Sequence, residues 1–284
     1  MAKILLSAFA DEYSKEPEAH IAVLLENGVK FIEPRFVGDK NIADLTEDEA
    51  KAYKSQLDAA GISTSSVGSP LGKIKLDDDF DMHMERARRV FNIAGILETK
   101  NVRMFSFYPA EGKNIVDSRN EVIEKVGKML DVADEFGLTL CHENEAKIYG
   151  ETPERCLDLL KTFDGRLKCV FDMGNFVLDK CQPYPYAYDL LRDYIEYFHI
   201  KDSLYARAIV PAGKGEASVA DILKAYKSYT KKDFYISLEP HLETFSGLHT
   251  LVQAKRFENP YKFNSPEEAF LAGLESLKEL LATI

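Results

Sequence analysis

No stretch of this chain is apolar for long enough to cross a membrane. The first residues, Met1-Ala-Lys-Ile-Leu-Leu-Ser-Ala-Phe-Ala-Asp-Glu12, run into acids before a signal-peptide core is complete. A membrane partner is therefore not expected. Basic residues are short as well: 36 Lys and Arg stand against 47 Asp and Glu, a formal net charge of -11, and no basic run is available to neutralise phosphates. That balance excludes nucleic acid as the natural partner and suits a small polar substrate. The four cysteines, Cys141, Cys156, Cys169 and Cys181, contain no close CxxC spacing, so they read as small buried hydrophobes in a reducing, cytoplasmic protein. No linker or low-complexity tract interrupts the chain, and no Gly-rich phosphate fingerprint follows the first strand, which argues against a doubly wound sheet.

What is present is a regular alternation of strands and helices. With 45% hydrophobic and 29% charged residues, the 284-residue chain has ample material for a core. Strands are expected at Lys3 to Ala8, Lys30 to Glu33, Ile62 to Val67 and Asn101 to Phe105, the third followed by a turn at Gly68-Ser-Pro70. Four more are expected to end near Glu143, Asp172, His199 and Glu239. Helices lie between them: Thr46 and Glu49 form a capping box, Pro153 and Pro266 open helices at their first position, and Gly28, Gly61 and Gly137 stop others. Eight strands and eight helices in strict alternation imply parallel strands with helical crossovers, and the length suits one closed (β/α)8 barrel over residues 1–284.

Four segments carry the chemistry. Thr139-Leu-Cys-His-Glu143, Lys168-Cys-Val-Phe-Asp172, Tyr197-Phe-His199 and Phe234-Tyr-Ile-Ser-Leu-Glu239 are apolar runs ending on a carboxylate or, once, an imidazole. In a barrel these residues come to the carboxyl-terminal mouth, where active sites of this fold lie. Intervals of 29, 27 and 40 residues match two single βα units and one with a longer loop. Three carboxylates gathered with one imidazole would repel each other unless a divalent ion joins them, and the donor set suits Mn2+ or Mg2+, with Co2+ or Zn2+ as further options. Strands five and eight lie three steps apart, so Glu143 and Glu239 are expected on separate walls, flanking a substrate. His142 is out of phase with Glu143 and should point to the helix layer. Lys201 and His241 share the phase of His199 and Glu239 and are candidates for facing substrate, while His20, His83 and His249 read as surface residues. The segment Leu242 to Asn264 is too long and too apolar for a solvated linker, so a lid or the contact of a homo-oligomer is expected there.

At these residues the chain resembles the xylose isomerase-like TIM-barrel superfamily, which includes ketose 3-epimerases, hydroxypyruvate isomerase, inosose dehydratase and endonucleases of the abasic-site repair type. The resemblance rests on Phe31-Ile-Glu-Pro-Arg35, Glu143-Asn144, Asp172-Met-Gly-Asn175, His199-Ile-Lys-Asp202, Pro211-Ala-Gly-Lys-Gly-Glu216 and Leu238-Glu239. It implies one divalent metal, foremost Mn2+, held by Glu143, Asp172, His199 and Glu239, with Glu143 and Glu239 also exchanging the substrate proton. Residues implied to contact a sugar are Glu33, Arg35, Glu145, Asn175, Lys201, Arg207 and His241. Three departures bear on the substrate: Asn175 stands where sugar epimerases place a histidine, Glu145 replaces the histidine of Glu-Asn-His, and the family's substrate-gripping arginine after strand seven matches Arg207 only loosely. The endonuclease branch needs histidines on strands two and three, where this chain has Glu33, Arg35, Ser66 and Ser69. The activity implied is isomerisation or epimerisation of a hydroxy-carbonyl sugar through an enediolate. A lyase of the same superfamily, such as an inosose dehydratase or a keto-glycoside-cleaving enzyme, is the alternative, followed by a noncatalytic sugar-binding barrel.

Overall fold

The computed structural model describes residues 2–243 and 260–284. Eight strands form the barrel wall: β1 (Ile4–Ala8), β2 (Phe31–Ile32), β3 (Val67–Leu71), β4 (Asn101–Met104), β5 (Thr139–Glu143), β6 (Lys168–Asp172), β7 (Ile195–Ile200) and β8 (Phe234–Leu238). Seven of them make one parallel sheet in the order β1-β8-β7-β6-β5-β4-β3. The short β2 closes the ring, since Glu33 N–H donates to Ala8 O at 3.1 Å and Gly68 N–H donates to Pro34 O at 3.0 Å. The result is a (β/α)8 TIM barrel with the helices outside.

Local sequence accounts for most boundaries. Thr46 caps Glu47–Ala60 through the reciprocal bonds of a capping box with Glu49, and Gly61 ends that helix at φ 67°. Thr152 and Ser265 cap helices that open on Pro153 and Pro266. Apolar residues facing out of the wall pack against the helices as the main core, for example Phe171, Phe198, Tyr226 and Phe234 in edge-to-face contact. A smaller cluster of Cys141, Val170 and Tyr197 fills the barrel interior and forms the floor beneath the mouth.

Three expectations need correction. The third strand breaks after Ser63–Thr64, which pairs with β2, and resumes as Val67–Leu71 through Gly68-Ser-Pro70 instead of turning there; its pairing with β4 is irregular between Val67 and Leu71. Gly68 runs so close to β1 and β2 that a Cβ would meet Phe9 Cε1 at 2.6 Å and Pro34 O at 3.2 Å, and a proline is tolerated where the ladder is broken. The sixth unit carries two helices instead of one, Met173–Leu178 and Tyr188–Leu191, separated by the prolines at 183 and 185. His20 and His83 are buried rather than on the surface: His20 Nε2 lies 2.6 Å from Ser14 O, and His83 Nε2 accepts from Gly72 N–H at 3.0 Å. His249 and most of the segment expected as a lid or oligomer contact lie outside the described residues. At its edges, Leu242 and Phe263 pack with Leu178, Ile209 and Ala269.

Cys141, Cys156 and Cys169 are buried free thiols, and Cys181 is half-buried. Among the described residues no helix is long and apolar enough to cross a membrane.

Candidate active site

Alternation along the strands aims one side chain per turn of the pleat into the barrel. On β5 the inward residues are Cys141 and Glu143, on β6 Val170 and Asp172, on β7 Tyr197 and His199, and Glu239 follows β8. Their apolar members make the floor and their polar members meet above it. One donor atom from each of Glu143, Asp172, His199 and Glu239 lies within 4.8 Å of all the others, and all four residues are buried. His142, out of phase, points outward to Ser106 Oγ at 2.9 Å. Strand ends are tied by Asn144, whose Nδ2–H donates to Asp172 O at 2.9 Å while its Oδ1 accepts from Asp172 N–H at 3.0 Å. Asp172 Oδ1 caps the next helix through Asn175 N–H at 2.8 Å.

Three buried cations hold this cluster together. Lys201 Nζ donates to Asp172 Oδ2 at 2.9 Å, Glu239 Oε2 at 3.0 Å and Asn175 Oδ1 at 3.2 Å. Gly174 is required for that placement, because a Cβ there would meet Lys201 O at 2.7 Å and its Cβ and Cγ at 2.8 Å. Arg103, on β4, donates to Glu143 Oε2 at 3.1 Å and to the carbonyls of Gly68 and Ser69. Arg35 donates to Asp11 at 2.9 Å, Glu12 at 3.2 Å and Glu239 Oε1 at 2.8 Å. Each of the two glutamates thus has one oxygen fixed by an arginine and the other turned toward His199 Nδ1, Glu143 Oε1 at 3.1 Å and Glu239 Oε2 at 3.7 Å.

Burial raises a carboxyl pKa, and here the neighbouring cations decide how far that goes. Against burial, His199 and Arg103 pull Glu143 down to about 2. Lys201, His241 and His199 likewise hold Glu239 well below the ordinary carboxyl range. Asp172, where burial outweighs Lys201, is pushed up to about 6. Burial would lower His199, but Glu143 and Glu33 push it up to about 10. Glu12 is raised to about 8 by burial.

The cluster fits a divalent ion on two counts. Its donors are three carboxylates and one imidazole, the set expected for a hard or borderline cation. His199 Nδ1 is buried, faces the cluster and makes no aligned hydrogen bond, which is what a nitrogen reserved for a ligand bond looks like.

Other residues expected at a substrate fall into four groups. Lys201, Asn175 and His241 border the cluster; His241 Nε2 lies 3.3 Å from Glu12 and 3.5 Å from Glu239, and burial lowers its pKa well below the imidazole range. Glu145 is partly exposed at the mouth and pairs with Lys73 at 2.8 Å, the ammonium of which also lies 4.2 Å from the Phe105 ring. Arg207 is exposed at the tip of a hairpin between Asp202–Leu204 and Ala208–Val210, apart from the cluster. Glu33 and Arg35 are wholly buried, with the oxygens of Glu33 and the guanidinium of Arg35 already engaged by the protein.

Sequence reasoning missed Arg103, Asp11, Glu12 and Asp202. Arg103 sits mid-strand among apolar residues in the inward phase, a legible signal. Asp11 and Glu12 follow β1 at the same end as the other acids. Asp202 binds the amides of Ser203, Gly213, Gly215 and Ala217 and so folds the loop after β7 over its own carboxylate.

The sequence matches the family described as xylose isomerase-like TIM barrel over residues 21–280, and the chain belongs to that family. Among solved structures it is similar to the probable 3-DHS dehydratase AsbF from Bacillus anthracis, with 17% identity, a TM-score of 0.72 and coverage of 98% of this chain and 99% of that one. It is also similar to a D-allulose 3-epimerase from Methylomonas sp., with 15% identity, a TM-score of 0.74 and coverage of 99% and 100%; that enzyme is also solved in complex with D-allulose. The IOLI protein, solved with a zinc atom, gives 14% identity, a TM-score of 0.75 and coverage of 98% of each chain. At these identities the likeness establishes the fold. A sequence search of curated proteins gives no match.

Proposed function

We propose that the protein is a metal-dependent isomerase or epimerase of a ketose or related hydroxy-carbonyl sugar, acting through an enediolate. The observation that supports it most is the convergence of Glu143, Asp172, His199 and Glu239 on one point of the mouth, with His199 Nδ1 left for a ligand. A divalent ion there, Mn2+ in the first place, would be held by these four residues and supplies Lewis acidity toward a carbonyl and its neighbouring hydroxyl.

Glu143 and Glu239 are the acid/base pair of this reading. Both are held as ionised carboxylates, so both can accept a proton at neutral pH. Their low basicity matches them only to an acidified C–H, as expected for a carbon beside a polarised carbonyl. Arg103 and Arg35 each hold one oxygen of a glutamate in place, which sets the orientation of the carboxylate that takes the proton from one carbon or returns it to the next. Lys201 adds a fixed positive charge beside Glu239, well placed to stabilise negative charge developing on a substrate oxygen. Asn175, Glu145 and His241 border the space for the remaining hydroxyls.

The test is to incubate metal-loaded protein with a panel of ketoses, inososes and keto-glycosides in D2O and follow the products by NMR. An isomerase or epimerase gives products of unchanged composition that carry solvent deuterium at the carbon next to the carbonyl. Loss of water or of an aglycone would assign a lyase instead. Binding of metal and sugars with no turnover of any panel member would favour a noncatalytic sugar-binding barrel.

A further inference from the structure

His199 is the one imidazole in the proposed metal set, and a carboxylate from the opposite side of the sequence lies directly beneath it. Glu33, just past β2, is fully buried. Its Oε2 lies 3.2 Å and its Oε1 3.3 Å from His199 Nε2. Among the described residues its other bonding neighbours are donors: Tyr197 OH donates to Oε1 at 2.9 Å, and Ser237 Oγ–H donates to Oε2 at 2.5 Å. Tyr197 OH is in turn 2.9 Å from Ser66 Oγ. The His199 ring is also gripped from its sides by Phe9 and Tyr197 in edge-to-face contacts at 5.0 and 5.4 Å.

Without a metal both ring nitrogens face carboxylates; the contacts decide which nitrogen keeps its hydrogen when the ring is neutral, as a metal ligand must be. A carboxylate can only accept, so the nitrogen facing Glu33 must carry hydrogen. In the neutral ring that leaves the lone pair on Nδ1, the atom with no aligned partner, which faces Glu143 and Glu239. We propose that Glu33 is not a sugar contact but the positioning residue for His199, fixing its Nε2–H tautomer and ring orientation so that Nδ1 is presented to the divalent ion. Tyr197 and Ser237 hold Glu33 in turn, which makes a chain of four residues from β2, β7 and β8 beneath the site. Carboxylate–histidine–metal relays of this kind typically contribute 10- to 100-fold in metal affinity.

The inference rests on the proposed four-residue metal site, and its test reads metal binding and tautomer without substrate. Mn2+ affinity of wild type, Glu33→Gln, Glu33→Ala, Tyr197→Phe and Ser237→Ala would be measured by equilibrium dialysis on folded protein. Glu33→Ala is expected to lose about 100-fold in affinity and Glu33→Gln about 10-fold, with smaller losses for Tyr197→Phe and Ser237→Ala, which keep the carboxylate. Nitrogen-15 histidine spectra of the zinc-loaded wild type should show His199 protonated at Nε2, a readout that does not depend on any variant folding. An Nδ1–H tautomer, or a folded Glu33→Ala that keeps wild-type Mn2+ affinity, would overturn the role of Glu33. If wild type itself binds no divalent ion, the metal reading fails first, and the two failures are told apart by that single measurement.

Discussion

The ammonium of Lys201 stands 3.0 Å from Oε2 of Glu239, buried with it at the carboxyl end of the barrel. It is bonded to Asp172 at the same time. In the absence of a metal, this one charge compensates two of the three clustered carboxylates. Removing one partner of a buried ion pair costs about 3 to 5 kcal/mol, because the other charge stays behind unpaired. Lys201→Met should therefore lower the melting temperature in EDTA, and saturating Mn2+ should restore more of it than the same addition gives wild type. Thermal melts of both proteins with and without metal check this. Equal melting in EDTA would mean that Lys201 does not hold the carboxylates together.

A second expectation concerns the metal itself. Protein purified without chelator should carry close to one equivalent of divalent ion, measured by elemental analysis. Ligand at about 100 times its dissociation constant stabilises a fold by about 2.7 kcal/mol, so stripping with EDTA should lower the melting temperature and Mn2+ should return it. Asp172→Asn should remove most of that response. Less than about a tenth of an equivalent, with no rise in melting temperature on adding Mn2+, Mg2+, Co2+ or Zn2+, would count against a metal site and leave Lys201, Arg103 and Arg35 to balance the carboxylates.

Much of this arrangement is legible in the sequence because two simple periodicities govern it. Strict βα alternation gives the barrel, and the two-residue period of a strand places Glu143, Asp172 and His199 on the inside while sending His142 outward. What the periods do not give is depth or partner. Arg103 and Glu143 are 40 residues apart and meet only because β4 and β5 are neighbours. Glu33 and His199 are separated by 166 residues, and from sequence alone Glu33 is as good a sugar contact as a support for a histidine. The burial of His20 and His83 is hidden for a related reason: a helix has an inner face, but whether a polar residue on it finds a buried partner depends on a loop carbonyl or amide that no local pattern announces.

His83 gives a pH dependence with a definite sign. Burial, assisted by Arg86 and Lys125, lowers its pKa to about 4, against an ordinary value near 6.5 in the unfolded chain. Between these values the unfolded state binds more protons than the folded one. Stability from this residue is therefore complete above about pH 6.5 and is lost as pH falls toward 4, by about 3 kcal/mol in all. Glutamine can accept from Gly72 N–H without titrating, so the gap between wild type and His83→Gln should narrow or reverse on going from pH 7 to pH 4.5. Urea denaturation at the two pH values measures the gap. A gap that stays constant would show that His83 is not held neutral in the folded protein.

The sharpest test of the proposed chemistry is replacement of the two glutamates. Glu143 and Glu239 come from strands three steps apart in the sheet, yet an oxygen of each converges on the same point, and an arginine fixes the other oxygen of each. Glutamine preserves shape and the hydrogen bond from arginine while removing the basic oxygen, so each variant should lose about 100-fold or more in rate on an accepted sugar. Wild type should exchange the carbon-bound proton with D2O, and the Gln variants should exchange it more slowly by the same factor as turnover. Metal content must be measured in parallel, because both residues also belong to the proposed metal set. A Gln variant that retains its metal and turns over within a few-fold of wild type would remove that residue from proton transfer. The next residue to test would then be Asp172, the carboxyl in the cluster where burial outweighs the neighbouring cations and the pKa is raised rather than lowered.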